Sequence, residues 1–251
     1  MYMSDRYQRN ILVEGVGEEG QAKLTASKAL VIGAGGLGSP TLYYLAAAGV
    51  GTIGIVDNDV VHTSNLQRQT LHFSNDVGRL KTVSAQRKLT ALNPEVKILT
   101  YTERFSEENA EKIISGYDFV VDCSDNFSTK LLINDSCIQA GKPYSHGAVV
   151  ALRGDVMTCI PGSSCYRCLF ETLPIEDLKP TASQEGILGS VAGIVGSIQA
   201  TETIKYLAGI NDLITNRIQF IDAKTMRFFS INIKKNDACI CAHPELLIIN
   251  Y

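Results

Sequence analysis

The residues of this chain able to handle a phosphate are spread over its first half. Ala29–Ile32 runs apolar into Gly33, Ala34, Gly35, Gly36, Leu37 and Gly38, a G-x-G-x-x-G pattern that turns a buried strand into a helix. Such a turn offers backbone N–H groups at a helix N-terminus, where partial positive charge favours phosphate. Asp57 ends the next apolar segment, at the separation where an acid meets a ribose hydroxyl in dinucleotide folds. These features serve NAD and ATP equally, and a tight turn without ligand fits them too. The segment "SNLQRQTLHFSNDVGRLKT" then brings Asn65, Arg68 and Lys81. The glycine loop lacks the Lys-Ser/Thr ending of a P-loop, so Arg68 and Lys81 are candidates to neutralise a triphosphate. "VVDCSDN" adds Asp122 and Asp125 at the end of another apolar run, and one carboxylate there could hold Mg²⁺ on phosphates.

Seven cysteines form a second chemical set: Cys123, Cys137, Cys159, Cys165, Cys168, Cys239 and Cys241. An odd count and a charged N-terminus without a signal-peptide pattern argue against a disulfide framework. Cys165 and Cys168 have the C-x-x-C spacing of one tetrahedral metal. Cys239 and Cys241 are separated by one residue; alternate residues of an extended strand share a face, but this chelation is less common. Zinc held by all four cysteines, a mixed set using His243, and no metal all remain open. Cys123, Cys137 and Cys159 read as buried structural thiols. His62, His72 and His146 lack the spacing of a catalytic metal site, and His146 reads as a loop or core histidine.

The elements that position these groups alternate. A helical lead-in over about 6–25 precedes the strand "KALVIGAGGLG" and the helix "SPTLYYLAAAGV", with Gly49 as its stop. The strand "GTIGIVDND", helix 80–92, strand 96–101, helix 106–115 and strand "YDFVVDCSDN" continue the rhythm. Apolar strands alternating with helices predict an α/β, Rossmann-like doubly wound sheet, mostly parallel. After residue 143 the texture becomes strand–turn–strand, so antiparallel strands should extend the sheet. "GSVAGIVGSIQA" reads as a tightly packed helix suited to a dimer interface. The 251 residues, 45% hydrophobic and 20% charged, suit one domain over 1–251. A net charge of −3 gives no reason to expect nucleic acid, and no apolar run is long enough to span a membrane. A cytoplasmic protein is expected.

In order, "RYQRN", "GAGGLGSP", "DND", "SNLQRQ", "GRLK", "DCSDN", "CYRC" and "GSIQATETIKYLAG" resemble the ThiF/MoeB/HesA family, adenylation domains similar to those of ubiquitin-activating enzymes. The resemblance covers nearly the whole chain. It implies ATP- and Mg²⁺-dependent adenylation of the C-terminal glycine of a ubiquitin-like sulfur carrier, ThiS- or MoaD-like, ending in Gly-Gly. Such carriers serve thiamin, molybdopterin and other sulfur pathways. By resemblance, Asp57 binds ribose, Arg68 and Lys81 the phosphates, Asn65 is a polar contact beside them, and Asp125 holds magnesium. Arg9 matches an arginine that reaches across a homodimer into the neighbouring ATP site. The family pairs Cys165 and Cys168 with a second C-x-x-C near the C-terminus, here Cys239 and Cys241, in a structural zinc site that clamps a tail over about 236–251. Ala182 stands where the family commonly has a cysteine that takes part in sulfur transfer, so thiol chemistry at that position is excluded. Two competing readings are a non-catalytic carrier-binding scaffold and an NAD(P)-dependent oxidoreductase; the second leaves Arg68, Lys81 and Asp125 unused.

Overall fold

The computed structural model describes residues 5–169 and 185–243. Ala182 and its loop lie outside them. Eight strands form one sheet: β1 (Lys28–Ile32), β2 (Thr52–Val56), β3 (Lys97–Tyr101), β4 (Phe119–Asp122), β5 (Tyr144–Val150), β6 (Arg153–Cys159), β7 (Arg217–Asp222) and β8 (Arg227–Asn232). Their spatial order is β3-β2-β1-β4-β5-β6-β7-β8. The first five are parallel, and β6, β7 and β8 add on antiparallel. This is the mixed α/β sheet expected from the sequence. Residues 29–32, 53–56 and 119–122 are buried, because helices cover both faces of a parallel sheet.

The helices are α1 (Gln8–Ile11), α2 (Gly17–Ala26), α3 (Gly38–Ala48), α4 (Lys81–Leu92), α5 (Glu107–Ile114), α6 (Phe127–Gln139), α7 (Tyr166–Leu169) and α8 (Gly189–Ala208). The lead-in is therefore not one helix. It breaks between α1 and α2, where Gly15 and Gly17 have φ of 86° and 59°. Helix α6 is absent from the expected alternation: its Lys130 and Asn134 are buried and bonded inward, which blurs its polar and apolar faces. Helix α3 ends at Gly49 in the left-handed conformation, as its position suggested.

Helix α8 packs within the chain against α3 and the sheet. A Cβ at Gly196 would lie 2.4 Å from the Leu37 carbonyl oxygen, and Thr41 donates its hydroxyl to the Gly196 carbonyl. The small residues of this helix thus bring two backbones together. Among the described residues no helix is long and apolar enough to cross a membrane.

Candidate nucleotide cleft and metal centre

The connection after β1 leads to β2 on one side, and the chain later places β4 on the other. A crevice opens at the C-terminal ends of such strands, where open α/β sheets bind ligands. Here it is a cleft of about 540 Å³, lined by Gly33, Gly35, Gly36, Asp57, Arg68, Lys81, Asp125 and Lys130 among others. That volume is in the range of small-ligand pockets.

The glycines are required by close approach. Gly33 has φ of 101°, and a Cβ there would sit 2.6 Å from the Cys123 carbonyl oxygen. A Cβ at Gly38 would sit 2.0 Å from the Gly33 carbonyl oxygen. Asp57 ties the turn to β2: its Oδ2 accepts the Ala34 N–H at 2.8 Å, and its Oδ1 the Asp59 N–H at 2.9 Å. The turn is braced from behind by His72, whose Nε2 lies 2.9 Å from the Ala34 carbonyl oxygen and whose Nδ1 lies 2.9 Å from Ser84 Oγ. A carbonyl can only accept, so Nε2 carries the proton; burial lowers the pKa of His72 and favours the neutral ring. Ser84 in turn accepts from Lys88, which also pairs with buried Asp76. Sequence patterning offered no sign of this brace, since its bonded side-chain pairs lie 4–12 positions apart on a loop and a helix and its contact to the turn spans 38.

Lys81 starts α4 and reaches the cleft with its Nζ 2.8 Å from Asp59 Oδ2 and 4.0 Å from Asp57 Oδ2. Arg68 donates to the Ser64 carbonyl and has no ion pair among the described residues. Asp125 is exposed at the opposite rim. Asp122 is not available to a metal. It is buried and accepts from Lys130, His146 Nδ1, and the Ser124 N–H and hydroxyl, at 2.6–3.1 Å. Burial pushes its carboxyl up, but Lys130 and His146 outweigh that and hold it at about 2. His146, a core histidine as expected, bridges to Asp155 through Nε2 at 3.1 Å. Two predicted residues lie off the cleft. Asn65 caps a short turn by accepting the His62 N–H, and Arg9 is exposed on α1.

The four late cysteines converge. Their sulfurs all lie within 4.8 Å of one another, with Cys165–Cys168 at 3.9 Å, Cys165–Cys239 at 3.6 Å and Cys168–Cys241 at 3.4 Å. A tetrahedral zinc with 2.3 Å bonds requires sulfurs about 3.8 Å apart, so the set fits that ion. His243 is not part of this cluster. The Cys239–Cys241 pair is not on a strand, as alternation suggested: successive turns bonded to the Asn236 and Cys239 carbonyls aim both sulfurs inward.

Comparison with known proteins agrees with this geometry. The ThiF family model matches residues 7–241. The chain is 43% identical over 235 residues to the SAMP-activating enzyme E1 of Haloferax volcanii, covering 94% of this chain and 87% of that one. It is 41% identical over 241 residues to the sulfur carrier protein adenylyltransferase of Thermus thermophilus, covering 94% and 89%. Among solved structures, the fold matches E. coli MccB with ATP at a TM-score of 0.83, with 24% identity over 95% of this chain and 75% of that one.

Proposed function

The chain belongs to the ThiF family, and from that premise we propose that it adenylates the C-terminal glycine of a ubiquitin-like sulfur carrier. It is a sulfur carrier protein adenylyltransferase: ATP and the carrier's carboxylate become an acyl-adenylate and pyrophosphate. The observation that carries the reading is Lys81, held by Asp59 at 2.8 Å in a cleft that also contains the glycine turn, Arg68 and Asp125. An oxidoreductase has no use for that cationic set.

A C-terminal carboxylate has a reference pKa of about 3.3–3.7 and is already an anion, so no general base is needed. The barrier is one anion approaching another. The carboxylate oxygen bonds to the α-phosphorus as the bond to the bridging oxygen breaks. Arg68 and Lys81 neutralise the phosphates, the N-terminus of α3 adds partial positive charge, and Asp57 receives the ribose. Asp125 would hold Mg²⁺, which screens the phosphate charge. Arg9 acts from the partner protomer of a homodimer, in keeping with its absence from its own cleft. The four-cysteine centre takes zinc as a clamp on the tail and takes no part in the chemistry.

Pyrophosphate exchange into ATP, dependent on a carrier ending in Gly-Gly, tests the reading. Carrier binding without exchange would leave a scaffold and sink the enzyme.

A further inference from the structure

Lys130 makes two hydrogen bonds with its ammonium group, to Asp122 Oδ2 at 3.1 Å and to the Gly147 carbonyl at 2.7 Å. An ammonium has three N–H donors. Its third has no acceptor among the described residues, although the side chain is only 6% exposed and lines the cleft. A buried donor left unmatched is costly, and its natural use is an acceptor on a ligand.

Strand order says which end of the ligand that is. Across the C-terminal edge of the sheet the sequence is β2, β1, β4, β5. Asp57, for the ribose, follows β2; the glycine turn, for the phosphates, follows β1; Asp125 follows β4. Lys130 bonds the end of β4 and the middle of β5, on the far side of the phosphates from the ribose. The cleft lining there includes Ala148, Val149, Gly186 and Ile187. Gly186 and Leu188 bond to the backbone of Ala151 just past β5, so this wall continues the edge of β5 and is made of small and apolar residues. It suits an extended peptide tail.

We propose that Lys130 is a substrate-binding residue that donates its third N–H to the terminal carboxylate of the carrier, fixing it beside the α-phosphate. The inference rests on the adenylation reading and assigns its second substrate. Asp122 and Gly147 orient the ammonium, and the Asp122–His146–Asp155 chain holds Asp122 in place.

Replacing Lys130 alone would strand the Asp122 charge in the core. The test therefore uses the neutral pair Lys130→Met/Asp122→Asn, beside Lys130→Arg. Binding is measured without ATP to a MoaD-type carrier ending in Gly-Gly, made once with a free C-terminal carboxylate and once as the amide. The wild-type chain should favour the carboxylate, and the neutral pair should lower that preference by about tenfold, the scale of one hydrogen bond to a charged group. Lys130→Arg, with its additional donors, should retain the preference. A purely structural role would weaken both carriers equally and leave the ratio unchanged, which overturns the assignment. Failure of the wild-type chain to bind either carrier, or to exchange pyrophosphate with a ThiS-type or MoaD-type one, overturns the adenylation reading and Lys130's role with it. An unchanged ratio in the presence of wild-type exchange overturns the Lys130 role alone.

Discussion

Asp57 Oδ2 accepts the backbone N–H of Ala34 at 2.8 Å, so the residue assigned to the ribose also holds the glycine turn assigned to the phosphates. Its two roles should separate by substitution. Asp57→Asn keeps an acceptor for Ala34 but gives up the one for the exposed Asp59 N–H, so it should fold with a smaller loss of thermal stability than Asp57→Ala while binding ATP more weakly. Asp57→Ala leaves that N–H without its partner and should also cost about 1–3 kcal/mol of stability. Titration calorimetry with ATP and thermal unfolding of both variants check this; equal stability of the two would show that the turn does not depend on the bond.

Lys81→Ala should remain folded, because its nearer partner Asp59 is 64% exposed and becomes hydrated when the lysine is lost, and Asp57 keeps its two backbone N–H donors. Carrier-dependent pyrophosphate exchange should fall by about a hundredfold or more, the usual scale for removing a charge aimed at a transition state. Near-normal exchange would remove Lys81 from the mechanism.

Arg9 and Lys81 should complement each other in trans. A chain with Arg9→Ala and a chain with Lys81→Ala are each expected to be inactive. Mixed after dissociation, half the dimers are hybrids, and one of their two clefts has both residues intact, so about a quarter of wild-type exchange should return. No recovery in hybrids isolated by affinity tags would place Arg9 outside the neighbouring cleft.

The cysteine centre should carry about one zinc per chain after purification in reducing buffer, and prolonged chelation should remove it. Protease sensitivity near Cys239 and Cys241 should rise on removal, while ATP affinity should hold, since the centre is no part of the cleft lining. A zinc content near zero in untreated protein ends the assignment.

Asp122 gives a pH prediction. Its carboxyl is held at about 2 in the folded state, against an ordinary aspartate value of about 3.9. A depressed folded pKa stabilises the protein above the unfolded value and loses that contribution as pH falls towards the folded one. Thermal stability should therefore drop between about pH 4 and pH 2, by an amount on the order of 2 kcal/mol for this group. In the Lys130→Met/Asp122→Asn pair this part of the slope should vanish. An identical acid profile for both proteins would mean that other carboxylates account for it.

Much of the cleft lining was legible because the residue types suited to phosphate leave local marks. The glycine turn, Asp57, Arg68, Lys81 and Asp125 each announce themselves by residue type and position beside a strand or helix end, and all five lie on one cleft. Asn65 was harder, because an amide in a turn can cap backbone as readily as it can touch a ligand. Asp122 and Asp125 looked equivalent in sequence, three positions apart. Burial and four donors remove the first from solvent and leave the second exposed at the rim.

By itself, the sequence determined the parallel α/β alternation, the antiparallel extension, the strand-to-helix glycine turn and the charged residue types proposed to meet a triphosphate. These follow from hydrophobic period, glycine conformation and charge, which are local properties. Only the tertiary structure decided that Cys165 and Cys168, just before and within α7, meet Cys239 and Cys241 of a distant pair of turns at tetrahedral spacing. The same is true of His72 bracing the glycine turn from behind, and of Lys130 lining the cleft at the end of a hydrogen-bonded network spread over β4, α6, β5 and β6. Buried polar groups must find partners wherever the packed chain puts them, and that placement is a property of the whole sheet and not of any stretch of sequence.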